Sequence, residues 1–200
     1  MSESHEKNRP RLFSLDAQLR AEADQLLEQS GIGRILQEEG FEPSGSYVMR
    51  TMTWRDLDFE RNDDSPDWQW HWELGLKLAQ SNWVWSLHCV DAYRDPRNLK
   101  DEGFYWGLRA TNPLGGEIWK IDLWTAPREE FERASPNRAL WDSRLTDDKR
   151  YNILAIKEVL WNLPEYRNAL LSVHIYEAVL EYDIHDIDEF WDWWKKRYGK

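Results

Sequence analysis

The chain has 200 residues, 26 Lys plus Arg against 37 Asp plus Glu, a net charge of −11 and 41% hydrophobic residues. That length and apolar content suit one core with a modest appendage and exclude disorder throughout, while the acidic balance argues against a broad nucleic-acid-binding surface. No apolar run reaches the roughly 18 residues of a membrane helix, the N-terminus reads as too polar for a secretory signal, and the single Cys89 excludes an intrachain disulfide or a multi-cysteine zinc site; the expectation is a cytoplasmic protein with no membrane partner.

In chain order, residues 1–13 read as a flexible polar leader. A helix is expected after Ser14 as N-cap, with Leu15, Leu19, Leu26 and Leu27 on one side. Gly31 and Gly33 interrupt it before a short helix over Arg34–Glu39. The Gly-Ile-Gly here is no dinucleotide loop, since no strand precedes it and the third glycine is missing. Phe41–Ser44 is expected to be a short strand that ends at Gly45-Ser46, with one or two helical turns over residues 47–54. Asp56–Glu60 reads as a second strand by strict alternation. Asn62–Asp67 is a turn cluster around Pro66, and residues 68–80 read as a helix.

Three further strands are expected over Trp83–Tyr93, Phe104–Ala110 and Ile118–Trp124, separated by turns at Asp95–Asn98 and Asn112–Gly116. In the last of them Trp119, Ile121 and Leu123 point one way, and Lys120, Asp122 and Trp124 the other. After Pro127 the pattern turns helical. Thr146 or Asp147 caps a helix to about Asn162, Pro164 stops it, and residues 165–182 and 186–198 give two more. The whole is an α+β pattern: a core over 14–126 with a mixed β-sheet and flanking helices, then a helical C-terminal subdomain over 127–200. The 14 Trp read mainly as core filler, with a ligand-stacking surface as the alternative.

The segment that carries chemistry runs from Gly45 to Asp58. Asp56 and Asp58, two apart on a strand, project from one face. Two carboxylates that close repel unless a cation lies between them, although a solvated strand edge would also carry them. A glycine at the turn of Gly45-Ser46 allows close backbone approach to a ligand. Asp122 adds a third carboxylate from another alternating strand, and three such oxygen donors suit one or two Mg²⁺ ions.

This arrangement of Gly-Ser, a gap of nine residues, Asp-x-Asp and a later single Asp resembles the nucleotidyltransferase superfamily, the polymerase-beta-like fold, and among its members small bacterial nucleotidyltransferase-like proteins. The resemblance spans roughly residues 15–125. It implies a mixed-sheet core in which Gly45 and Ser46 hold the terminal phosphates of a nucleoside triphosphate, with ATP as the expected donor. It also implies that Asp56, Asp58 and Asp122 hold two Mg²⁺ ions and carry catalysis. Tyr47-Val48-Met49-Arg50 replaces the usual Ala-Arg-Gly-like run, and Arg55 stands where a Ser precedes the first Asp in many bacterial members.

Lys120 shares a strand face with Asp122 and is the leading candidate to offset the triphosphate; a simple ion pair with Asp122 is the alternative. Arg50, Arg109, Lys149 and Arg150 are weaker candidates, and Glu102 and Glu117 are guesses for a general base. His71, His88 and Cys89 read as packing or surface residues. Asp183, His185, Asp186 and Asp188 read as helix capping rather than as a metal cluster. The leading expectation is a Mg²⁺-dependent enzyme that transfers a nucleoside monophosphate to an unidentified hydroxyl acceptor, such as an antibiotic or a macromolecule. The alternative is an inactive protein of the same fold that binds or regulates a partner, and a Trp-lined carbohydrate- or drug-binding module comes third. A homodimer or a protein partner is compatible with the sequence.

Overall fold

The computed structural model describes residues 3–95, 102–163, 166 and 170–199. Its elements follow the order α1 (Glu3–Gln29), α2 (Ile32–Glu38), β1 (Glu42–Ser44), α3 (Gly45–Val48), β2 (Asp56–Asn62), α4 (Trp68–Ala79), β3 (Val84–Asp91), β4 (Phe104–Thr111), β5 (Ile118–Ala126), α5 (Arg128–Ala134), α6 (Arg138–Arg144), α7 (Asp147–Leu160), α8 (Ser172–Glu181) and α9 (Ile187–Tyr198). The five strands form one mixed sheet in the order β1-β2-β5-β4-β3. β2 and β5 run parallel, and every other neighbouring pair is antiparallel. The protein is thus α+β with a mixed five-stranded sheet and helical C-terminal elements, as the sequence pattern implied.

The chain divides into two compact units, Gln18–Pro136 around the sheet and a helical unit of residues 1–17 with Asn137–Lys200. The sequence expectation divides the chain at 13/14 and 126/127, and the two compact units divide at 17/18 and 136/137. α1 belongs in part to each unit.

In the sheet unit, alternation sorts the strands into two faces. Leu57, Phe59, Phe104, Trp106, Leu108, Ala110, Trp119, Ile121 and Leu123 are buried on one face. α4 covers part of it, because His71, Leu74, Gly75 and Leu78 recur at helical spacing and are all buried. The Asp67 carboxylate caps α4 by accepting from the Gln69 amide at 3.0 Å. Gly75 lets helix and sheet approach closely: a Cβ there would lie 3.0 Å from Trp106 Cε2 and nearer still to the outer ring atoms. The Trp106 indole in turn donates to the His71 carbonyl at 3.0 Å. The opposite face of β2, β4 and β5 is half-exposed over most of its length, and it carries the candidate site.

The helical unit corrects the leader expected over 1–13. α1 begins at Glu3, and Ser14 lies inside it. Leu12 is fully buried in a cluster with Tyr151 and Leu154 of α7. Arg11 is bound to Glu158 by two hydrogen bonds of 2.6 and 2.5 Å. A single apolar pair, Leu12-Phe13, in a polar stretch gives no periodic signal; its partners lie far along the chain. Asp16 and Arg150 form a buried ion pair at 2.7 Å. Thr146 caps α7 by accepting from the Lys149 amide, and Asp186 caps α9 by accepting from the Asp188 and Glu189 amides, both at 3.0 Å.

The helix expected from 165 begins only at Ser172. Tyr166 and Leu170 instead form an isolated bridge, and residues 164, 165 and 167–169 lie outside the described residues. Most of the turn expected at Asp95–Asn98 also lies outside them. The reading of Trp as core filler is too generous: Trp106, Trp119, Trp141 and Trp194 are buried, whereas Trp72, Trp83, Trp85 and Trp161 are exposed.

Candidate active site

The parallel register of β2 on β5 decides the site. Asp56 stands opposite Lys120, and Asp58 opposite Asp122. Because residues two apart share a face, the two strands place all four residues on the half-exposed side of the sheet. The three carboxylates of the sequence motif are therefore brought together although 64 positions separate Asp56 from Lys120 along the chain.

β1 and α3 close one side. Ser44 pairs with Asp58, and Gly45 follows with φ of 62°. A Cβ on Gly45 would lie 2.5 Å from Asp58 Oδ2. Glycine is required here twice, by the left-handed backbone and by the carboxylate pressed against the turn. Ser46, the next residue, is buried. The helical turn thus starts at Gly45 and not at 47 as expected, so the Gly-Ser pair belongs to it.

Lys120 Nζ lies between two carboxylates. It donates to Asp56 Oδ1 at 3.1 Å and also to Asp122 Oδ2. The second oxygen of each carboxylate is held by a neutral donor. Trp54 Nε1 donates to Asp56 Oδ2 at 3.1 Å, and the Tyr105 hydroxyl donates to Asp122 Oδ1 at 3.0 Å. Tyr105 reaches Asp122 by lying over Gly107, which is opposite Asp122 in β4; a Cβ at Gly107 would meet the phenol, with Tyr105 Cζ at 3.0 Å.

Burial by itself pulls the Lys120 pKa down, but the charges of Asp56 and Asp122 and their hydrogen bonds outweigh it and hold the ammonium above its usual range. Burial pushes the Asp122 carboxyl up; Lys120 and the Tyr105 hydrogen bond oppose this, and the Asp56 charge adds to it. The Tyr105 phenol is raised well above its ordinary value by burial and by Asp122, so it is a donor across the physiological range.

The donor set suits a hard divalent cation: carboxylate oxygens from neighbouring strands, two of them already converging on one cationic atom. Among the described residues, however, no group of three or more His, Cys, Asp or Glu forms a ready metal cage. Lys120 takes the place between Asp56 and Asp122.

The weaker candidates separate cleanly. Arg109 stands opposite Lys120 in β4 but donates to the Leu108 carbonyl at 3.2 Å. Arg55 pairs with Glu22 at 2.9 Å and approaches Glu117 at 4.0 Å. Arg50 ends the α3 turn with φ of 57°. The Glu102 amide donates to the Glu130 carboxylate at 3.4 Å, which ties the residue to α5. Lys149 pairs with Asp183 at 3.2 Å and Arg150 with Asp16 in the helical unit, so neither is placed with the carboxylates by its own unit.

Cys89 and His71 approach to 3.4 Å, yet burial pushes the Cys89 thiol to about 11 and draws His71 to about 4. Those directions oppose a thiolate–imidazolium pair and fit packing. Trp54, Tyr105 and Gly107 are the residues that sequence reasoning missed; the alternation of β4 puts Tyr105 and Gly107 on one face, but only the sheet order shows that the face is that of Asp122.

The chain matches no protein-family model and no curated protein. Among the described residues no helix is long and apolar enough to cross a membrane.

Proposed function

We propose that this chain is a Mg²⁺-dependent nucleotidyltransferase that moves a nucleoside monophosphate from a nucleoside triphosphate to a hydroxyl acceptor. The observation that carries the reading is the parallel register that sets Asp58 opposite Asp122 and Asp56 one step along the same face, with the Gly45 turn against Asp58. When bound, two Mg²⁺ ions would neutralise the triphosphate and lower the pKa of the attacking hydroxyl.

The chain's own part is positioning and charge. Asp56, Asp58 and Asp122 would hold the ions. Trp54 and Tyr105 fix the outer oxygens of Asp56 and Asp122, so those carboxylates are oriented before any ligand arrives. Gly45 and Ser46 form the turn that the family resemblance assigns to the terminal phosphates, and Gly45 lets the Asp58 carboxylate lie against that turn. Lys120 supplies positive charge next to the triphosphate. The half-exposed face extending over β4 offers the acceptor an open approach, and the net charge of −11 favours a cationic acceptor over a long RNA.

A second reading is favoured by one observation: the ammonium of Lys120 already neutralises Asp56 and Asp122, as it would in a partner-binding protein of the same fold that had given up catalysis. Calorimetric titration of ATP, GTP, CTP and UTP, each with Mg²⁺ and again with EDTA, separates the two. Metal-dependent binding of a nucleotide is the expected result. A well-folded protein that binds none of the four overturns the enzyme reading in favour of the second.

A further inference from the structure

The inner oxygens of Asp56 and Asp122 converge on a single atom, and that atom is a lysine nitrogen. Register explains why. Lys120 sits directly opposite Asp56 across the β2–β5 pair and two residues before Asp122 on β5, so its side chain meets both carboxylates without leaving the sheet face. All three groups are substantially shielded: the side chains of Asp56, Lys120 and Asp122 are 13%, 22% and 14% exposed. Two carboxylates so placed cannot be left without a cation except at large electrostatic cost. Trp54 and Tyr105 bind the outer oxygens as neutral donors; they orient the carboxylates and leave the inner pair for a charge.

We infer that Lys120 is an internal counter-ion, a lysine plug that keeps the metal-free site neutral and that a divalent cation must displace to enter. The inference rests on the nucleotidyltransferase reading for the identity of the cation. Lysine chemistry suits the task. Its ammonium is a compact point charge on a flexible four-carbon stem, able to leave by rotation of its own bonds, whereas an arginine fork would stay locked on the carboxylates. The same motion gives the side chain its second use: once displaced, Lys120 remains anchored on β5 beside Asp122, with its charge available to an incoming phosphate.

The test is Mn²⁺ binding by electron paramagnetic resonance to the full chain, in the wild type and in Lys120→Met and Lys120→Gln. Removing a competing charge a few ångströms from the ion is expected to tighten Mn²⁺ binding about tenfold or more in both variants, while lowering the melting temperature of the metal-free protein and restoring it on Mn²⁺ addition. In the wild type, saturating Mg²⁺ is expected to raise the acylation of Lys120 by a lysine-directed reagent, measured by mass spectrometry. If the wild type binds Mn²⁺ and both variants bind equally or more weakly, the plug is refuted and the metal reading stands. The plug is equally refuted if Mg²⁺ binds the wild type and leaves Lys120 as protected as before. If neither the wild type nor a folded variant binds Mn²⁺, the metal reading falls and the plug with it.

Discussion

Acidification tests the helix–sheet core through His71. Its imidazole is almost fully buried, stacked on Phe104 at 4.6 Å and tilted against Trp106 at 5.2 Å. Burial draws its pKa from 6.5 down to about 4, opposed in part by a backbone hydrogen bond with Tyr105. With the folded-state pKa below the unfolded one, the unfolded chain takes the proton first. The stability carried by neutral His71 is therefore complete above about pH 6.5, is lost progressively as pH falls toward 4, and changes no further below that. Each pH unit between the two pKa values is worth about 1.4 kcal/mol, so the whole interval sets an upper value of about 3.5 kcal/mol. In a chain of this length that loss lowers Tm by on the order of 10 °C.

The assay is urea unfolding of the wild type and of His71→Gln at steps from about pH 7.5 to about pH 4.5. Carboxylates titrate in both proteins and cancel in the difference, leaving the His71 contribution. An NMR titration of the imidazole reads the same quantity directly and is expected to show a neutral ring down to about pH 5. A midpoint near 6.5, or a difference between the two proteins that stays flat across the range, refutes the claim that burial among these rings governs the group.

Four other outcomes are expected. Asp16→Ala leaves the Arg150 guanidinium buried without its carboxylate and is expected to cost about 3–5 kcal/mol in urea unfolding; a loss below about 1 kcal/mol would contradict the pairing. Gly75→Ala improves helix propensity yet drives a methyl into the Trp106 ring, so a net destabilisation of about 1–3 kcal/mol is expected from the same assay, and a gain in stability would show that the ring can move aside. Gly107→Ala displaces the Tyr105 phenol from Asp122 and is expected to weaken Mg²⁺-nucleotide binding about fivefold, as does Tyr105→Phe, the equivalent of one hydrogen bond of about 1 kcal/mol; unequal effects would break the link between the two residues. Asp58→Asn, which keeps the shape of the carboxylate beside Gly45, is expected to abolish metal-dependent nucleotide binding in the four-nucleotide titration with little change in Tm, and retained binding would remove Asp58 from the metal set.

What was legible in the sequence was local. Alternation over Asp56–Glu60 and Ile118–Trp124 assigns both strands and the face of every carboxylate, because the side-chain period of a strand is a property of the backbone alone. Thr146 and Asp186 announce their helices because a cap acts within three residues. The Gly-Ser turn is legible because the left-handed conformation at Gly45 favours glycine. Where the signal depends on distant partners, the sequence is silent or misleading. Within the leader expected over 1–13 the chain is helical from Glu3, and Leu12 packs on Tyr151 and Leu154. The identity of Lys120 as partner of both Asp56 and Asp122, and the use of Gly107 to bring Tyr105 onto Asp122, follow only from the strand order β2-β5-β4. Strand order and register are set by burial of one sheet face and by loop closure over the whole chain. Residue types and their faces are thus determined by short-range chemistry, while the cation that lies between the carboxylates is chosen by tertiary structure.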